Sequence, residues 1–534
     1  RLAARGYDPG RAWAGCAGRS QRTLEERVTG NSATAMRPGV VVVGAGGSGL
    51  AAAVAAAEAG AAVTCLEKAP EIGGTTALSV GSITAAGTRL QASAGITDSP
   101  DGHYGDMTVL AGSLLDRDNP RLRRILVDSA ADTVHWLESL GVTFAGPYEE
   151  MPHKLPRMHV ALPNSRSYIY WLERRCRALG VVIHTGVRAA SLVTRGGRVC
   201  GVEANVDGVV RHFEGGAVVL ATGDYSASPE LKARYLPTCV DIDAINERST
   251  GDGHEMALRE GATVCNGDLA AGPKFRFNAP PRPAWAANLP PHRWLARSMR
   301  LALRRLPPFL LRPFLLPTLT SYLAPEPSLF AHGAILVNRD GKRFTDELDA
   351  PARFLPAQPG KVGYLVMDER IARMFSRWPH FVSTAPGVAY AYVQDYARIR
   401  KDVYTKADTI EALAEALSLP PAALRDTIEA NNASLATRSD AGKRAPLSEG
   451  PFHALGPLYS WVVVTQGGLA VDEDHHVLRE DGSVIQGLFA AGNVGLGGLL
   501  MAGHGHYLGW AFISGRRAGA RAAQAARIAG GNRT

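Results

Sequence analysis

The feature that most constrains the fold is the stretch PGVVVVGAGGSGLAAAVAAAEAGAAVTCLEK at positions 38–68. Val40–Val43 form an all-apolar run, as a strand that is buried on both faces requires. A G-x-G-x-x-G pattern comes next, followed by the strong helix-forming run Leu50–Ala59. A second apolar run, Ala62–Leu66, ends on Glu67. This order of elements predicts an α/β fold that begins with a Rossmann-like strand–helix–strand unit.

The glycines of this stretch have separate roles in a dinucleotide site. Gly44 supports the tight turn, Gly46 lets a pyrophosphate approach the backbone, and Gly49 lets the helix pack on the strand. The helix N-terminus offers free N–H groups to phosphates. Glu67 lies 18 residues after Gly49, where an acid holds a ribose hydroxyl. The ordered set predicts a nucleotide site, with a Gly-rich turn in an unrelated α/β unit as the alternative. Three neighbours complete the predicted set: Gly47, Ser48 and Lys68.

A second glycine-rich segment, EIGGTTALSVGSITAAGT at 71–88, distinguishes between cofactors. It resembles the continuation found in flavoproteins, where a Gly-Gly pair and hydroxyl groups run past the pyrophosphate toward the isoalloxazine. A nicotinamide dehydrogenase more often goes on into a plain βαβ repeat. The segment therefore favours FAD, with a polar loop as the alternative. The matching residues are Gly73, Gly74, Thr75, Thr76, Ser79 and Gly81.

Three later segments are expected to return to the same domain. Residues 180–204 are predicted as strands, with Val187 where such flavoproteins pass backbone near the adenine. The segment GGAVVLATGDY is predicted as a buried strand that approaches the cofactor at its end, with Ala221, Thr222 and Gly223. RSTGDGHEMALREGA begins a helix near Asp252, which is either a cofactor contact or an N-cap.

The C-terminal part also belongs to this domain. LFAAGNVGLGG repeats the strand-and-glycine pattern, with Gly492 and Asn493 after the strand. The next helix is predicted to open with its N-terminus toward the flavin, at Gly509, Trp510 and Ala511. The predicted FAD-binding domain is therefore discontinuous, comprising 37–265 and 456–534, with a cap domain inserted at 266–455. Residues 1–36 show no periodicity and are predicted to be a disordered extension.

Seven motifs occur along the chain in one fixed order. They are GAGGSGLAAA, GGTTALSVGS, VLATGDY, TGDGHEMA, GAILVNRDGKRFTDE, VTQGGLAVDEDHHVL and GLFAAGNVGLGG. Over roughly 38–520 the chain resembles the flavoprotein family of soluble fumarate reductases and 3-ketosteroid dehydrogenases. The resemblance implies a Rossmann-like FAD domain with an inserted α+β cap, substrate bound between the two, and hydride exchange at flavin N5. The covalently flavinylated branch has a His soon after its Gly-Gly pair, where this chain has Thr75 and Thr76, so non-covalent FAD is implied.

The chain departs from the fumarate reductases at three cationic positions. The resemblance places these positions at Pro351, Val464 and Tyr507, none of which is cationic. A dicarboxylate in a low-dielectric pocket needs cationic partners, because burying unpaired carboxylates is costly. We therefore predict that fumarate and similar dianions are not substrates.

The ketosteroid branch is matched more closely. Both of its catalytic tyrosines are missing, but its final glycine, whose N–H helps hold the substrate carbonyl, matches Gly505. Arg353 is a candidate to replace the first tyrosine. The candidates to replace the second are His504, His506 and Tyr507, with structural wall residues as the alternative. No metal site is predicted, because His504 and His506 form an H-x-H pair without a third ligand indicated in sequence, and zinc sites need three or four.

Basic charge is concentrated in one part of the predicted cap. Between Asp268 and Glu326 the chain has nine basic residues and no acidic one, so the formal net charge of +8 leaves 8 − 9 = −1 for the rest. A patch this local does not indicate a nucleic-acid partner. At 292–317, arginines spaced 4, 3 and 4 line one face of a predicted helix that ends at Pro307-Pro308, before an apolar loop. Two alternatives remain: peripheral membrane contact, or a cap helix packed on its own domain.

Cysteine usage and hydropathy bear on location. Six scattered cysteines without a CxxC motif are expected as reduced thiols in a cytoplasmic protein. No apolar run reaches the roughly 18–20 residues that a membrane span needs, and no signal peptide is visible. The predicted location is cytoplasmic, and the membrane alternative for 292–317 adds peripheral contact at the inner face of the membrane.

These patterns predict an FAD-dependent oxidoreductase. It desaturates, or reversibly reduces, a C–C bond α,β to a carbonyl in a neutral, apolar, ring- or steroid-like substrate. The expected partner is an external electron acceptor such as a quinone. One alternative is an ene-reductase that acts on an enone or a small unsaturated acid, with Arg353 as proton donor. An alternative of another class is a non-catalytic flavin-binding redox partner.

Overall fold

A computed structural model describes most of the chain. The described residues are 39–206, 208–280, 288–322, 324–385, 389–437 and 444–531. The predicted disordered extension at 1–36 lies outside them, so that prediction stays open.

Strands and helices alternate through the first half of the chain and mix with short elements after it. The strands are β1 (Gly39–Val43), β2 (Ala62–Glu67), β3 (Ser82–Thr84), β4 (Thr143–Tyr148), β5 (Met158–Leu162), β6 (Val182–Thr185), β7 (Arg188–Arg195), β8 (Arg198–Val206), β9 (Val209–Glu214), β10 (Ala217–Leu220), β11 (Asp243–Ala244), β12 (Val264–Cys265), β13 (Ala270–Ala271), β14 (Lys274–Phe277), β15 (Ile335–Val337), β16 (Gly363–Met367), β17 (Ser383–Ala385), β18 (Ala389–Ala391), β19 (Tyr404–Ala407), β20 (Phe452–Val462), β21 (Val464–Thr465), β22 (Gly468–Leu469), β23 (His476–Leu478) and β24 (Val484–Ala490). The helices are α1 (Gly47–Glu58), α2 (Gly74–Leu78), α3 (Arg89–Ser93), α4 (Pro100–Ala111), α5 (Pro120–Leu140), α6 (Arg166–Ala178), α7 (Pro229–Tyr235), α8 (Asp252–Arg259), α9 (Arg293–Arg305), α10 (Pro308–Tyr322), α11 (Ser328–Ala331), α12 (Glu369–Met374), α13 (Val393–Ile399), α14 (Ile410–Leu417), α15 (Pro421–Thr437) and α16 (His506–Gly531).

The central sheet has the order β23–β24–β10–β1–β2–β6. Its strands from β24 to β6 are parallel, and β23 adds an antiparallel edge. Val41 in β1 pairs with Val218 on one side and Thr64 on the other, and Val40–Val43 are buried, as the all-apolar run predicted. The α/β fold class is confirmed.

The C-terminal helix closes this domain by packing on the first helix. A Cβ added at Gly519 in α16 would lie 2.1 Å from Ala52 O, and one at Gly515 would lie 2.4 Å from Ser48 O. Only glycine lets the two backbones approach this closely. The last helix and strand β24 therefore complete the sheet and helix layer that β1 and α1 begin.

The middle of the chain builds a second sheet around β20. Its order is β11–β20–β16–β15, and β14 and β19 also pair with β20. The second hydrophobic core runs from Phe275 to Leu458, whereas the main core draws on 40–262 and 469–526. Two short antiparallel pairs, β12 with β22 and β13 with β21, lie where the chain passes between them. The predicted domain boundaries remain a prediction, which these two cores support.

The basic segment forms two helices. The prediction that the apolar part after Pro308 is a loop was wrong, because 308–322 form α10 with Pro313 and Pro317 inside it. Pro308 occupies the first helical position, which proline favours. Burial of Leu316 and Leu319 in the second core offsets the backbone hydrogen bonds that the internal prolines cannot make.

Helix α9 packs on the FAD-binding domain with one face only. Ala296 is buried against Ala145 and Leu162, with Met299 and Leu303 packed around them. The opposite face leaves large apolar side chains exposed, including Trp294 at 69% and Leu301 at 57%. The alternative of a cap helix packed on its own domain was wrong, because the inner face packs on β4 and β5 of the predicted FAD-binding domain. The outer face leaves basic and apolar side chains exposed.

Membrane spans and disulfides are both missing from the described part. None of the helices within the described ranges combines the length and the apolar composition needed to cross a membrane. Cys65, Cys176, Cys200, Cys239 and Cys265 are free thiols, and all but Cys265 are buried.

Candidate active site

The glycine-rich turn forms a cradle at the end of β1. Gly44 has φ 103°, and a Cβ there would lie 2.4 Å from Ala221 O. A Cβ at Gly49 would lie 1.8 Å from Gly44 O, so strand and helix meet through these glycines. The first N–H groups of α1 have no carbonyl within the helix and are available to an anion, although that of Gly47 donates to Thr76 Oγ1 (3.2 Å).

Glu67 lies at the carboxyl end of β2 beside this cradle. Its buried carboxylate accepts hydrogen bonds from Ala45 N (2.8 Å) and Ala69 N (2.9 Å). Val187 N donates to the backbone oxygen of Glu67 (2.9 Å). Val187 therefore lies next to the predicted ribose-binding acid, which fits its predicted place near the adenine.

A charged cluster borders the same edge. Lys68 Nζ donates to Asp252 Oδ2 (2.9 Å), and Arg188 Nη2 donates to Asp252 Oδ1 (2.8 Å). Burial alone would raise the pKa of Asp252, but these two cations outweigh burial and lower it. The N-cap alternative for Asp252 was wrong, because Gly251 occupies the N-cap position of α8. Asp252 instead orients Lys68 and Arg188.

A buried hydroxyl and two glycines line the opposite wall. Thr222 Oγ1 is buried and has no hydrogen-bond partner in the described part of the chain. A Cβ at Gly253 would lie 2.2 Å from it, and one at Gly492 would lie 2.6 Å from Ser48 Oγ. A buried hydroxyl without a partner is unfavourable unless a ligand or water satisfies it. The cradle and this hydroxyl therefore fit a bound dinucleotide.

The hydroxyl groups in the segment after Gly73 make hydrogen bonds within the protein. Thr75 Oγ1 accepts a hydrogen bond from Asn246 Nδ2 (2.8 Å). Ser79 Oγ donates to Thr76 O (2.8 Å) and accepts from Gly81 N (3.2 Å). These bonds shape the turn, so direct contacts of Ser79 and Gly81 with a cofactor remain predictions, as do those of Gly74, Gly223 and Asn493.

The last helix begins earlier than predicted. It starts at His506, and Gly509 N already donates to Gly505 O (2.9 Å). Trp510 is fully buried and donates from Nε1 to Gly495 O (3.3 Å). The predicted placement of the helix N-terminus at Gly509, Trp510 and Ala511 was therefore wrong. The turn at Gly505, with φ 86°, brings the free N–H groups to the residues from His506 onward.

His504 and Glu150 form a dyad beside this helix start. His504 Nδ1 bonds the carboxylate oxygen Oε1 of Glu150, which also accepts from His504 N (2.8 Å). The Glu150 side chain is 7% exposed and that of His504 is 48% exposed. Burial would raise the pKa of Glu150, but the bond and charge of His504 outweigh burial and lower it. An ionised Glu150 thus orients the imidazole, as acid–base catalysis requires.

Tyr507 follows in the first turn of the same helix, and its side chain is partly buried. Its oxygen is buried and has no hydrogen-bond partner among the described residues. Burial, with a smaller effect of the Asp224 charge, raises the pKa of Tyr507. The Tyr507 phenol is therefore neutral, and its O–H is available to donate a hydrogen bond.

Arg353 and His506 lie in surroundings other than those that the sequence predicted. Arg353 is exposed in a short 3₁₀ turn, Pro351–Arg353, and no described contact joins it to His504 or Tyr507. His506 faces the protein interior, where its Nδ1 lies 2.5 Å from Ala502 O and its Nε2 lies 3.0 Å from His103 Nε2.

Sequence reasoning missed three residues of this region. Glu150 and His153 lie in the connection between β4 and β5, and His103 lies in α4. All three stand more than 300 residues away from the stretch they contact, and no local motif marks them. The connection between the paired strands β4 and β5 carries Glu150 and His153 to the C-terminal helix, and helix α4 carries His103 there.

Comparisons with known proteins agree with this geometry. A family model described as "FAD binding domain" matches residues 39–273 and 313–505. The NADH:fumarate oxidoreductase of Klebsiella pneumoniae is 29% identical over 499 residues, which cover 90% of this chain and 47% of that protein. The chain thus spans about half the length of this relative.

Two solved structures illustrate the shared fold. The open conformation of a flavocytochrome c3 fumarate reductase matches with a TM-score of 0.69 and 26% identity, covering 92% of this chain and 78% of that one. The 3-ketosteroid-Δ4-(5α)-dehydrogenase from Rhodococcus jostii RHA1 matches with a TM-score of 0.58 and 24% identity, covering 91% and 96%. The second comparison bears on the fold alone.

Proposed function

Because the chain belongs to the FAD-binding-domain family, we propose that it is an FAD-dependent oxidoreductase that acts on a C–C bond α,β to a carbonyl. The predicted family, fold class and FAD are confirmed by that membership. Non-covalent attachment is part of the proposal. It is supported by Thr75 and Thr76, whose hydroxyls accept hydrogen bonds from Asn246 and Gly47 at the place where the covalent branch has a histidine.

The observation that carries the proposal is the buried phenol of Tyr507. The resemblance aligns Tyr507 with an arginine of the fumarate reductases. A neutral buried donor is suited to a carbonyl oxygen, because an anion in the same place would need a cation. The unpartnered O–H would donate to that oxygen and stabilise the negative charge that develops there.

The charges around this edge also favour a neutral substrate. Pro351 and Val464 bring no charge to the other two cationic positions. Of the arginines near the edge, Arg123 is paired with Asp118 (3.0 Å), and Arg157 is paired with two carboxylates. Both arginines are therefore already paired with carboxylates. We therefore propose an apolar, ring-like carbonyl compound as the substrate.

His504 is the proposed acid–base group. Glu150 holds its Nδ1, which leaves Nε2 of a half-exposed imidazole to take a proton from the carbon next to the carbonyl, or to return it in the reverse direction. When bound, FAD supplies the two-electron oxidation or reduction. Gly505 N–H remains a candidate second donor to the carbonyl oxygen. Arg353 and His506 are less suited, because the first makes no described contact with the dyad and the second faces the interior.

Two variants of Tyr507 test this assignment. Tyr507→Phe removes only the donor, and kcat/KM with a cyclic enone or ketone should fall about 100-fold, as for other single oxyanion donors. Tyr507→Arg restores a cation and should shift the preference toward a carboxylate analogue. Tyr396→Phe is the control, since Tyr396 is a buried phenol of the second core that bonds Ser383. Unchanged turnover of Tyr507→Phe at full FAD content would refute the assignment.

Two further points are the direction of the reaction and the identity of the redox partner. The ene-reductase alternative is favoured by relatives whose names are those of reductases. We propose a quinone as the external acceptor in the dehydrogenase direction. The non-catalytic alternative predicts a flavin whose absorbance no carbonyl compound changes.

The outer face of α9 is the proposed membrane contact. It carries exposed Trp294 and Leu301 beside arginines, a combination typical of interfacial binding. Peripheral contact at the inner face of the membrane would give access to an apolar substrate or a quinone.

A further inference from the structure

We propose that His103, His153 and His506 bind a divalent transition-metal ion of the zinc class. The three imidazoles come from α4, from the connection before β5 and from the start of α16. One ligand atom from each lies within 4.8 Å of the others, and all three side chains are buried. The sequence indicates no third ligand beside His504 and His506, whereas the fold places two further histidines beside His506.

Unpartnered polar atoms surround this point. His103 Nδ1, His153 Nε2 and Glu150 Oε2 are each buried without a hydrogen-bond partner in the part of the chain described here. Such groups are rare in native proteins, because each one loses its hydration without replacement. A bound ion would satisfy His153 Nε2, which has no partner among the described residues.

The orientation of His506 places Nε2, the nitrogen that would bind the metal, next to His103. Nδ1 of His506 lies 2.5 Å from Ala502 O, so Nδ1 carries the proton, and the lone pair of Nε2, which accepts from His103 Nε2, is the one that a metal ion would take. His103 Nε2 lies 3.0 Å from His506 Nε2. Tetrahedral zinc, with bonds of about 2.0–2.1 Å, holds neighbouring nitrogens about 3.3 Å apart. This pair therefore needs to separate by only a few tenths of an ångström, and His153 closes the remaining distance by side-chain rotation.

The surrounding charge is suited to a cation despite Arg157, whose Nη1 lies 3.3 Å from His153 Nδ1. Arg157 bonds both Asp98 and Asp106, so the three groups together carry a charge of about −1. Glu150 adds a second negative charge. Asp106 Oδ2 lies 3.9 Å from His153 Nδ1, beyond hydrogen-bond distance. Metal binding through His153 Nε2 would put a proton on Nδ1 and replace the bond from Arg157 by one to this carboxylate, the kind of partner that metal-bound histidines commonly have.

The chemistry of the ligands limits the ion. Three imidazoles suit Zn²⁺, Co²⁺, Ni²⁺ and Cu²⁺, whereas Mg²⁺ and Ca²⁺ prefer oxygen ligands. A bound ion would tie α4 and the connection before β5 to the start of α16. It would thereby fix the backbone on both sides of Gly505. The metal site stands independently of the proposed reaction, since it rests on neither the substrate nor the acid–base group.

Zinc binding to the FAD-loaded full chain tests the inference. After treatment with a chelator and its removal, isothermal titration with Zn²⁺ should give one ion per chain. His103→Gln and His153→Gln should each weaken that binding at least about ten-fold. His159→Gln is the control, because His159 is a buried histidine of β5 that bonds Thr88 outside the cluster, and its affinity should match the parent.

A second measurement, on the parent protein, tests the inference if the variants fold poorly. X-ray absorption of the zinc-loaded parent protein should show nitrogen ligands at about 2.0–2.1 Å, with more than one imidazole. The inference is overturned if the parent binds no zinc at a one-to-one ratio. It is also overturned if well-folded His103→Gln and His153→Gln bind zinc as tightly as the parent.

Discussion

Replacing Gly505 by alanine tests whether the backbone fixes the proposed catalytic residues His504 and Tyr507. Gly505 has φ 86°, and a Cβ there would lie 2.5 Å from Thr84 N and 2.6 Å from Thr84 Oγ1. The left-handed backbone costs a non-glycine residue about 1–2 kcal/mol, and overpacking of this kind costs about 1–3 kcal/mol more. Gly505→Ala is therefore expected to lower the free energy of unfolding by about 2–5 kcal/mol.

Gly482→Ala separates the two contributions. Gly482 has φ 79°, but a Cβ there would have no atom within 4 Å, so only the backbone cost of about 1–2 kcal/mol applies. Urea denaturation of both variants at matched FAD content gives the difference. Turnover should fall only in Gly505→Ala, because Thr84 Oγ1 also donates to His504 O (2.6 Å). Equal losses of stability in the two variants, with turnover retained, would refute this role of the backbone.

Three further outcomes are expected. Lowering the pH from 6.5 toward 4 should destabilise the fold, because burial lowers the pKa of His159 and His254 to about 4. In this pH range the unfolded chain binds more protons than the folded one, so each of the two histidines lowers the free energy of unfolding by up to about 3 kcal/mol. Urea titration across this window checks it, and a flat profile would contradict it. Glu67→Gln should weaken FAD binding about 10–100-fold through lost charge-assisted bonds, measured by flavin fluorescence against the surface control Glu58→Gln. Removing the apolar side chains of the α9 outer face, Trp294 and Leu301, should reduce co-sedimentation with anionic liposomes, and unchanged sedimentation would exclude that face as the contact.

Local sequence patterns predicted the strand–helix–strand unit of the FAD-binding domain. The valine run of β1, the glycines after it and Glu67 act over neighbouring residues, so their spacing alone determines the turn and helix. Gly44 and Gly49 do meet backbone atoms that exclude a side chain. The same reasoning placed Gly492 at the closing strand, because that motif repeats the first.

The proposed catalytic residues depend on contacts that no spacing encodes. Glu150 contacts His504, and His103 contacts His506, although more than 300 residues separate the partners in each pair. The predicted start of α16 at Gly509 lies three residues after the actual start at His506, because the turn is made by Gly505. In α10, buried leucines override the helix-breaking signal of Pro313 and Pro317.

The most direct test of the central claim is an anaerobic half-reaction of the FAD-loaded protein. Oxidised protein mixed with a saturated cyclic ketone, or reduced protein mixed with the corresponding enone, is followed by flavin absorbance in a stopped-flow instrument. The proposed function predicts rapid bleaching or recolouring with the neutral compound, a much slower change in Tyr507→Phe, and little change with fumarate. A flavin that responds to fumarate and not to any cyclic ketone or enone would contradict the assignment.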